Sequence, residues 1–316
     1  MNSRCLFCYQ NLNKNQIDFH PACSKKIFGT QTPPEIPYTE IQIEELGLEV
    51  VRSQITVTGV QPKLSLEIEQ PKNKPAKFTI VGLWGGYILK PPTDQYLHLP
   101  EVEDLTLHLA SIAKINTVPH SLIRLKSGNL AYITKRIDRT KNGKLHMEDM
   151  CQLTERLTEH KYHGSYEQIA KVILKFSATP GLDLINYYEQ VLFSFLTGNA
   201  DMHLKNFSML NLPQIGYTLT PSYDMVSTVL VNPADEEDLA LTLNAKKKEI
   251  RKNDFVAAFN SSKLHPKQQE NIFKKLEKFI PKWLGFIDIS FLPDKMKENY
   301  KNLIKEKSQL IFEKTF

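Results

Sequence analysis

Apolar and polar residues change their period partway along the chain. Between residues 51 and about 137 the apolar positions alternate or gather in short β-branched and aromatic runs, the mark of strands. Ile55-Thr-Val-Thr-Gly-Val-Gln-Pro-Lys-Leu-Ser-Leu66 sets a Gly between two such runs, and Lys77-Phe-Thr-Ile-Val81 and Tyr87-Ile-Leu-Lys90 supply further strands. Leu122-Ile-Arg-Leu125 and Leu130-Ala-Tyr-Ile-Thr134 flank Lys126-Ser-Gly-Asn129, a good hairpin turn. One helix interrupts this region, Glu101 to Ile115, with Val102, Leu105, Leu109 and Ile112 at helical spacing. From about 138 onward the helical period dominates. Gln168 to Phe176, Leu182 to Leu196, Phe255 to Phe259, Gln268 to Ile280 and Lys295 to Phe312 all carry an apolar residue every three or four positions. Within this half, Phe207-Ser-Met-Leu210 and Tyr217-Thr-Leu-Thr220 flank Asn211-Leu-Pro-Gln-Ile-Gly216 and read as a β-hairpin. Met147 to Leu153 reads as helical, with Cys151 a buried free thiol.

Composition changes this picture little. At 316 residues, 41% apolar and 24% charged, the chain is long enough for two or three domains and unsuited to wholesale disorder. The net charge of +5 is mild and its Lys are spread along the chain, so charge alone does not argue for nucleic acid. No run of 18 apolar residues and no apolar N-terminal segment stands in the sequence, and the expectation is a cytoplasmic protein with no membrane partner.

The N-terminus carries a chemistry of its own. Cys5-Leu-Phe-Cys8 and His20-Pro-Ala-Cys23 form two pairs with the spacing of zinc knuckles, and Cys₃His is a usual closed structural zinc set. The competing reading is three reduced thiols in a small cap. Residues 1–30 are thus assigned to a Cys/His cap and 31–50 to a linker opened by the Pro-rich Thr32-Pro-Pro-Glu-Ile-Pro37. Residues 51–137 are assigned to a strand-rich lobe and 138–316 to a helical lobe.

The most specific motif lies in the second lobe. Gly198-Asn-Ala-Asp-Met-His-Leu-Lys-Asn-Phe-Ser208 sets Asp201 five positions before Asn206, and Pro221-Ser-Tyr-Asp224 follows the hairpin. Phosphoryl transfer of the kinase type needs such a set: a carboxylate to orient the acceptor hydroxyl, then Asn and Asp to hold Mg²⁺ against the phosphates. The spacing matches the kinase catalytic loop, although the His-Arg before the Asp is missing and His203 follows it. The hairpin would return Asn206 and Asp224 to one end of two paired strands. The bland alternative makes all three ordinary loop residues. The strand-rich lobe supplies the other parts in kinase order. Gly59 lies between strands, where backbone approaches phosphate, Lys63 follows it, Lys90 ends a strand, and Glu103 on the next helix is placed to pair with Lys90.

Taken together these segments resemble the HipA-type serine/threonine kinases, toxins of bacterial toxin–antitoxin systems. The resemblance rests on Gly59-Val-Gln-Pro-Lys63, Tyr87-Ile-Leu-Lys-Pro91, Tyr132-Ile-Thr-Lys-Arg-Ile-Asp-Arg139, Glu148-Asp-Met-Cys-Gln152, the Asp201 loop and Leu219-Thr-Pro-Ser-Tyr-Asp224, and covers about residues 51 to 316. It implies an α+β, bilobal protein-kinase-like fold that uses ATP and Mg²⁺. It casts Asp201 as catalytic base, Asn206 and Asp224 as Mg²⁺ ligands, and Lys90 as the contact to the α/β-phosphates. The phosphate loop would be Thr58, Gly59, Val60, Gln61, Pro62 and Lys63. Lys135, Arg136 and Ile137 would form the hinge at adenine, with His203 and Tyr223 beside the nucleotide.

Only about 50 residues precede this core, fewer than the N-terminal subdomain of full-length HipA. The chain is therefore more similar to the short HipT-like form, in which that subdomain is a separate small protein and a helix-turn-helix antitoxin completes the operon and contacts DNA. The family's substrates are aminoacyl-tRNA synthetases. Its phosphate loop is autophosphorylated just before the Gly, at positions held here by Thr56 and Thr58. The choice between the two stays open, and so does the plain reading of both as strand residues. Two other functions fit a kinase-like core: phosphorylation of a small molecule, and a regulatory role within an antitoxin–DNA complex.

Overall fold

The computed structural model describes residues 4–53, 63–72, 74–81, 84–234 and 236–313. Contacts divide the chain into two compact units. The first holds residues 1–104, 118–137 and 289–291, and the second holds 105–117, 138–288 and 292–316.

In the first unit, helix α1 (Pro21–Phe28) and helix α2 (Glu40–Ser53) precede strands β1 (Leu64–Glu69), β2 (Lys77–Ile80) and β3 (Tyr87–Lys90). Helix α3 (Leu99–Ile112) follows, and the unit boundary falls inside it, after Asp104. Strands β4 (His120–Arg124) and β5 (Leu130–Lys135) complete an antiparallel sheet of order β2-β1-β3-β5-β4. The expected hairpin over Lys126–Asn129 joins β4 and β5, with Gly128 at φ 95° where a side chain would be strained. β5 is internal and buried at Ala131, Tyr132, Ile133 and Thr134, which explains a continuous run in place of strict alternation. The N-terminal segment shares the sheet's core: Cys5, Leu6, Phe19, Ile27 and Phe28 pack in one cluster with Leu64, Leu66, Phe78, Tyr87 and Leu89. Phe28 meets Phe78 edge-on at 5.7 Å between centroids.

One stretch differs from the expectation, and another falls mostly outside the described residues. α2 occupies Glu40–Ser53, partly in the span assigned to a linker. Its start is fixed by reciprocal bonds, Thr39 N to Gln42 Oε1 at 3.0 Å and Gln42 N to Thr39 Oγ1 at 3.5 Å, a capping box. Most of the Ile55–Leu66 run lies outside the described residues; its last three positions open β1.

After the rest of α3, the second unit continues with β6 (Arg139–Thr140), β7 (Gly143–Lys144), β8 (Met147–Asp149) and the short helix α4 (Met150–Leu153). The sequence pattern predicts a helix from Met147, but Met147–Asp149 is a strand paired with Leu210, Met209 and Ser208. Sheet pairing wins there because the helix begins only at Met150, capped by the Asp149 carboxylate on Gln152 N. Cys151 is buried and free. Helices α5 (Tyr166–Phe176) and α6 (Pro180–Leu196) precede strands β9 (Ser208–Leu212) and β10 (Gly216–Leu219). α5 starts at a Ser165/Gln168 capping box and buries Tyr166, Ile169, Ala170 and Ile173 on one face. Helices α7 (Thr228–Val231), α8 (Lys252–Ser261), α9 (Pro266–Asp288) and α10 (Asp294–Phe312) complete the unit. Trp283 on α9 is fully buried, packs edge-on against Phe193 of α6 at 5.3 Å, and donates its indole N–H to Leu109 O at 2.8 Å. Among the described residues no helix is long and apolar enough to cross a membrane.

Candidate active site

In the second unit the Asp201 loop is braced from several sides. α6 ends at Thr197, and Gly198 turns the chain with φ 66°. A Cβ there would lie 2.7 Å from Leu303 Cδ2 on α10, a side-chain end that can shift, so it is the left-handed conformation that calls for glycine. The Gly198 carbonyl accepts from Val229 N at 3.2 Å, and Ala200 N donates to Thr228 Oγ1 at 2.9 Å, tying the loop to α7. Asp201 N donates to Asn199 Oδ1 at 3.1 Å, and Asp201 O accepts from His203 N at 2.8 Å. The backbone is thus fixed while the Asp201 side chain stays 41% exposed.

Asn206 closes the loop. It is buried, lies in a turn of 3₁₀ helix over Leu204–Asn206, and its Nδ2 donates to Asp201 O at 2.9 Å. That bond fixes the amide orientation and leaves Oδ1 as the atom that can face a cation. The expected hairpin exists, with Met209 opposite Leu219 and Leu212 opposite Gly216. Thr220 N bonds Ser208 O at 3.0 Å at its open end, so Asn206 and Asp224 leave the same end of the paired strands. Asp224 has φ 55°, a left-handed conformation that Asp tolerates better than most residues and that fixes where its carboxylate departs. Its neighbour Tyr223 shares a hydrogen bond with Ser208 Oγ at 2.6 Å and donates to Lys205 O at 3.0 Å, joining the two segments. Burial pushes the Tyr223 phenol well up, which keeps it a neutral donor.

Two contacts here, those of Tyr162 and Lys205, escaped the sequence, and the foreseen His203 joins them. Tyr162 donates its hydroxyl to Asp201 Oδ1 at 2.5 Å, and its ring meets His203 edge-on at 5.0 Å. Lys205 Nζ pairs with Asp149 Oδ2 at 2.9 Å, linking the loop to the cap of α4. His203 is buried, its Nε2 lies 4.0 Å from Asp201 Oδ1, and its Nδ1 is buried with no hydrogen-bond partner among the described residues. Burial lowers its pKa although the Asp201 and Asp224 carboxylates pull it up, so the ring is neutral near pH 7. Tyr162 lies in the polar stretch Glu159-His-Lys-Tyr-His163, where no period or spacing marks one residue.

In the first unit, Lys90 Nζ and Glu103 Oε1 form an ion pair of 2.5 Å, with the two residues only 4% and 2% exposed. Lys90 pairs in register with Tyr132 on β5, and its ammonium lies 5.4 Å from that ring's centroid. A fully buried Lys–Glu pair is expensive to desolvate, so it is not a device for stability alone. One residue beyond Glu103, the buried Asp104 accepts from Tyr9 OH at 2.8 Å and bonds His120 Nδ1 at 2.7 Å, a network with no sequence signal. Lys135 ends β5, and Arg136 N reaches Gly86 O at 2.8 Å, so the 135–137 segment leaves the ladder where the chain passes to the second unit. Lys63 stands exposed immediately before β1. Thr56, Thr58, Gly59, Val60, Gln61 and Pro62 lie outside the described residues.

A family model described as the HipA-like C-terminal domain matches residues 55–283, most of the chain. The chain belongs to that family. A relative from Sinorhizobium fredii, Y4dM, whose name carries only a provisional kinase designation, is 30% identical over 64% of this chain and 50% of its own length. The serine/threonine-protein kinase toxin HipA of Shewanella oneidensis is 27% identical over 61% of this chain and 47% of its own length. The chain thus spans about half the length of the curated relatives it matches. Among solved structures, the Shewanella oneidensis HipA–HipB–operator DNA complex contains a chain similar at TM-score 0.67 and 21% identity, over 87% of this chain and 72% of that one. The Helicobacter pylori proinflammatory kinase CtkA is similar at TM-score 0.53 and 16% identity, over 77% of this chain and 93% of that one. The HipA-like core therefore has the expected α+β, kinase-like fold, with an antiparallel sheet in one unit and helices dominating the other.

Proposed function

We propose that this chain is an ATP- and Mg²⁺-dependent serine/threonine protein kinase acting as a toxin of the HipA type. The observation that carries the reading is the braced loop. Asp201 is backbone-fixed with an accessible carboxylate, and Asn206 and Asp224 leave one end of a single hairpin in a family core matched by kinases. An amide oxygen and a carboxylate are hard oxygen donors suited to Mg²⁺, so the residues fit that cofactor. When bound, Mg²⁺ would neutralise the phosphate oxygens during transfer.

The roles follow from this reading. Asp201 accepts the proton of the acceptor hydroxyl and orients it for attack. Asn206 and Asp224 supply the metal ligands, and the Tyr223 hydroxyl holds their segments in register. Lys90, oriented by Glu103, contacts the α/β-phosphates. Residues Thr58 to Lys63 cover the phosphates, Lys135 to Ile137 meet adenine through backbone groups, and neutral His203 lines the nucleotide side of the loop. Autophosphorylation at Thr56 or Thr58 would place about −1.5 to −2 charges where ATP phosphates sit and switch the enzyme off. The acceptor is a protein hydroxyl, with an aminoacyl-tRNA synthetase the expected class. The partners are a helix-turn-helix antitoxin, through which DNA is met, and a small protein equivalent to the HipA N-terminal subdomain. The similar structure of HipA with HipB and operator DNA supports the antitoxin partner.

Phosphoproteomics after induced expression of the wild type beside Asp201→Ala tests this reading. Phosphosites specific to the wild type, on a synthetase and on the 56–58 segment, are expected. Identical phosphoproteomes with equal growth arrest would refute it.

A further inference from the structure

We propose that Cys5, Cys8, His20 and Cys23 hold one Zn²⁺ in a closed tetrahedral site that clamps the N-terminal segment to the sheet and seats Tyr9 against Asp104. The ligand atoms all lie within 4.8 Å of one another, on a segment whose cysteines are all free thiols. Zn–S and Zn–N bonds of about 2.3 and 2.05 Å at tetrahedral angles put S and N about 3.6 Å apart. Cys8 Sγ lies 3.4 Å and Cys23 Sγ 3.7 Å from His20 Nδ1.

The imidazole decides between a metal site and a set of thiol hydrogen bonds. Its Nε2 lies 3.0 Å from Asn11 O, and a carbonyl can only accept, so Nε2 carries the proton. Nδ1 then offers a single lone pair, yet two sulfurs face it. One lone pair cannot accept from two thiols at good geometry, whereas one cation set between them satisfies all three atoms. The Asn11 carbonyl plays the part that an outer hydrogen-bond acceptor plays for zinc-bound His, fixing ring and tautomer. His20 N also donates to Cys5 Sγ at 3.4 Å, as backbone amides do to knuckle thiolates. Binding would release the three thiol protons to solvent. The donor set of three thiolates and one imidazole favours zinc over Mg²⁺ or Ca²⁺ and leaves no open position, so the site is structural.

The geometry gives the clamp a purpose. Tyr9 follows Cys8 directly, with its N bonded to Cys5 O at 2.9 Å, inside the first knuckle. Its hydroxyl reaches Asp104, the residue after Glu103 on α3. Leu6 O accepts from Ser121 Oγ at 3.2 Å and Leu122 N at 3.3 Å, fixing the same knuckle to β4. Metal, knuckle, Tyr9 and the start of α3 form one continuous set of contacts.

The full chain, purified without chelator under reducing conditions, should carry about one zinc by elemental analysis. After exchange it should show the intense visible bands of four-coordinate, thiolate-bound Co²⁺. Cys23→Ser should lose at least tenfold in zinc affinity, His20→Cys should keep the metal as a Cys₄ site, and Cys151→Ser should change nothing. Because Cys23→Ser could fail to fold, the wild type carries a second test: a mercurial reagent should release the zinc as three thiols react. Hydrogen exchange reads the clamp, with faster exchange expected in residues 4–28 and 99–104 once zinc is removed. Absence of both zinc and the cobalt bands would overturn the site, as would iron in place of zinc or retention of full affinity by Cys23→Ser. Unchanged exchange on metal removal would overturn the clamp.

Discussion

Breaking the Lys90–Glu103 pair one side at a time, and then replacing it whole, separates what the pair costs from what it is for. At 2.5 Å and an effective dielectric of about 20 the two charges attract by about 7 kcal/mol. With the two residues only 4% and 2% exposed, stripping water from both charges costs several kcal/mol each, so the intact pair contributes little net stability. Glu103→Ala takes the paired carboxylate from a buried ammonium that lies near the Tyr132 ring, and the variant should lose about 3–5 kcal/mol. Lys90→Met with Glu103→Leu fills the same space without charge and should recover most of that loss. Urea unfolding of wild type, each single variant and the double variant gives the cycle. ATP binding by calorimetry on the same proteins gives the function, and the double variant should stay folded while binding nucleotide poorly. Equal destabilisation in single and double variants would refute the burial argument. Full ATP affinity in the double variant would show that Lys90 is structural.

Three further outcomes follow from the loop. Tyr162→Phe removes a hydroxyl bonded to the Asp201 carboxylate, and since such a hydrogen bond is worth about 1.5–3 kcal/mol, KM for a peptide acceptor should fall by about tenfold or more with kcat little changed; a raised KM would instead make Tyr162 part of acceptor binding. Burial depresses the His203 pKa below 6.5, so the folded state resists a proton that the unfolded chain takes up. Its contribution is complete above about pH 6.5 and is lost as pH falls through the lower folded pKa; the drop in Tm between pH 7.5 and 5.5 should be smaller in His203→Gln, and an equal drop would assign it elsewhere. Gly198→Ala forces a Cβ into a left-handed position against Leu303 and should cost about 1–3 kcal/mol in urea midpoint stability together with activity, whereas a neutral effect would mean that the loop has another conformation available.

Much of this was legible because particular residues carry a local physical signal. The hairpin after Asn206 announced itself through alternation around Asn211–Gly216, and Lys90 through its place at the end of a β-patterned run before Pro91. The Cys/His spacing foretold four ligand atoms brought together. What failed shows where local pattern stops. Met147–Asp149 carries apolar spacing suited to a helix, but its partner is β9, some 60 residues away, and sheet pairing has no local trace. α2 was hidden by Gly47 within a Glu-rich stretch, although Thr39 and Gln42 spell its capping box. Tyr162 and the Tyr9–Asp104–His120 network are polar contacts between residues distant in sequence, set by the fold alone.

The central claim is that Asp201 is the base of a phosphoryl-transfer site, and rapid-quench measurement of γ-phosphate transfer from Mg²⁺-ATP by the purified chain tests it most directly. Wild type should label protein hydroxyls, its own phosphate loop included. Asp201→Asn should transfer at a rate lower by about 10²–10⁴-fold while binding ATP with an affinity within about twofold of wild type. Transfer by Asp201→Asn at the wild-type rate, or no transfer by wild type to any protein hydroxyl, would contradict it.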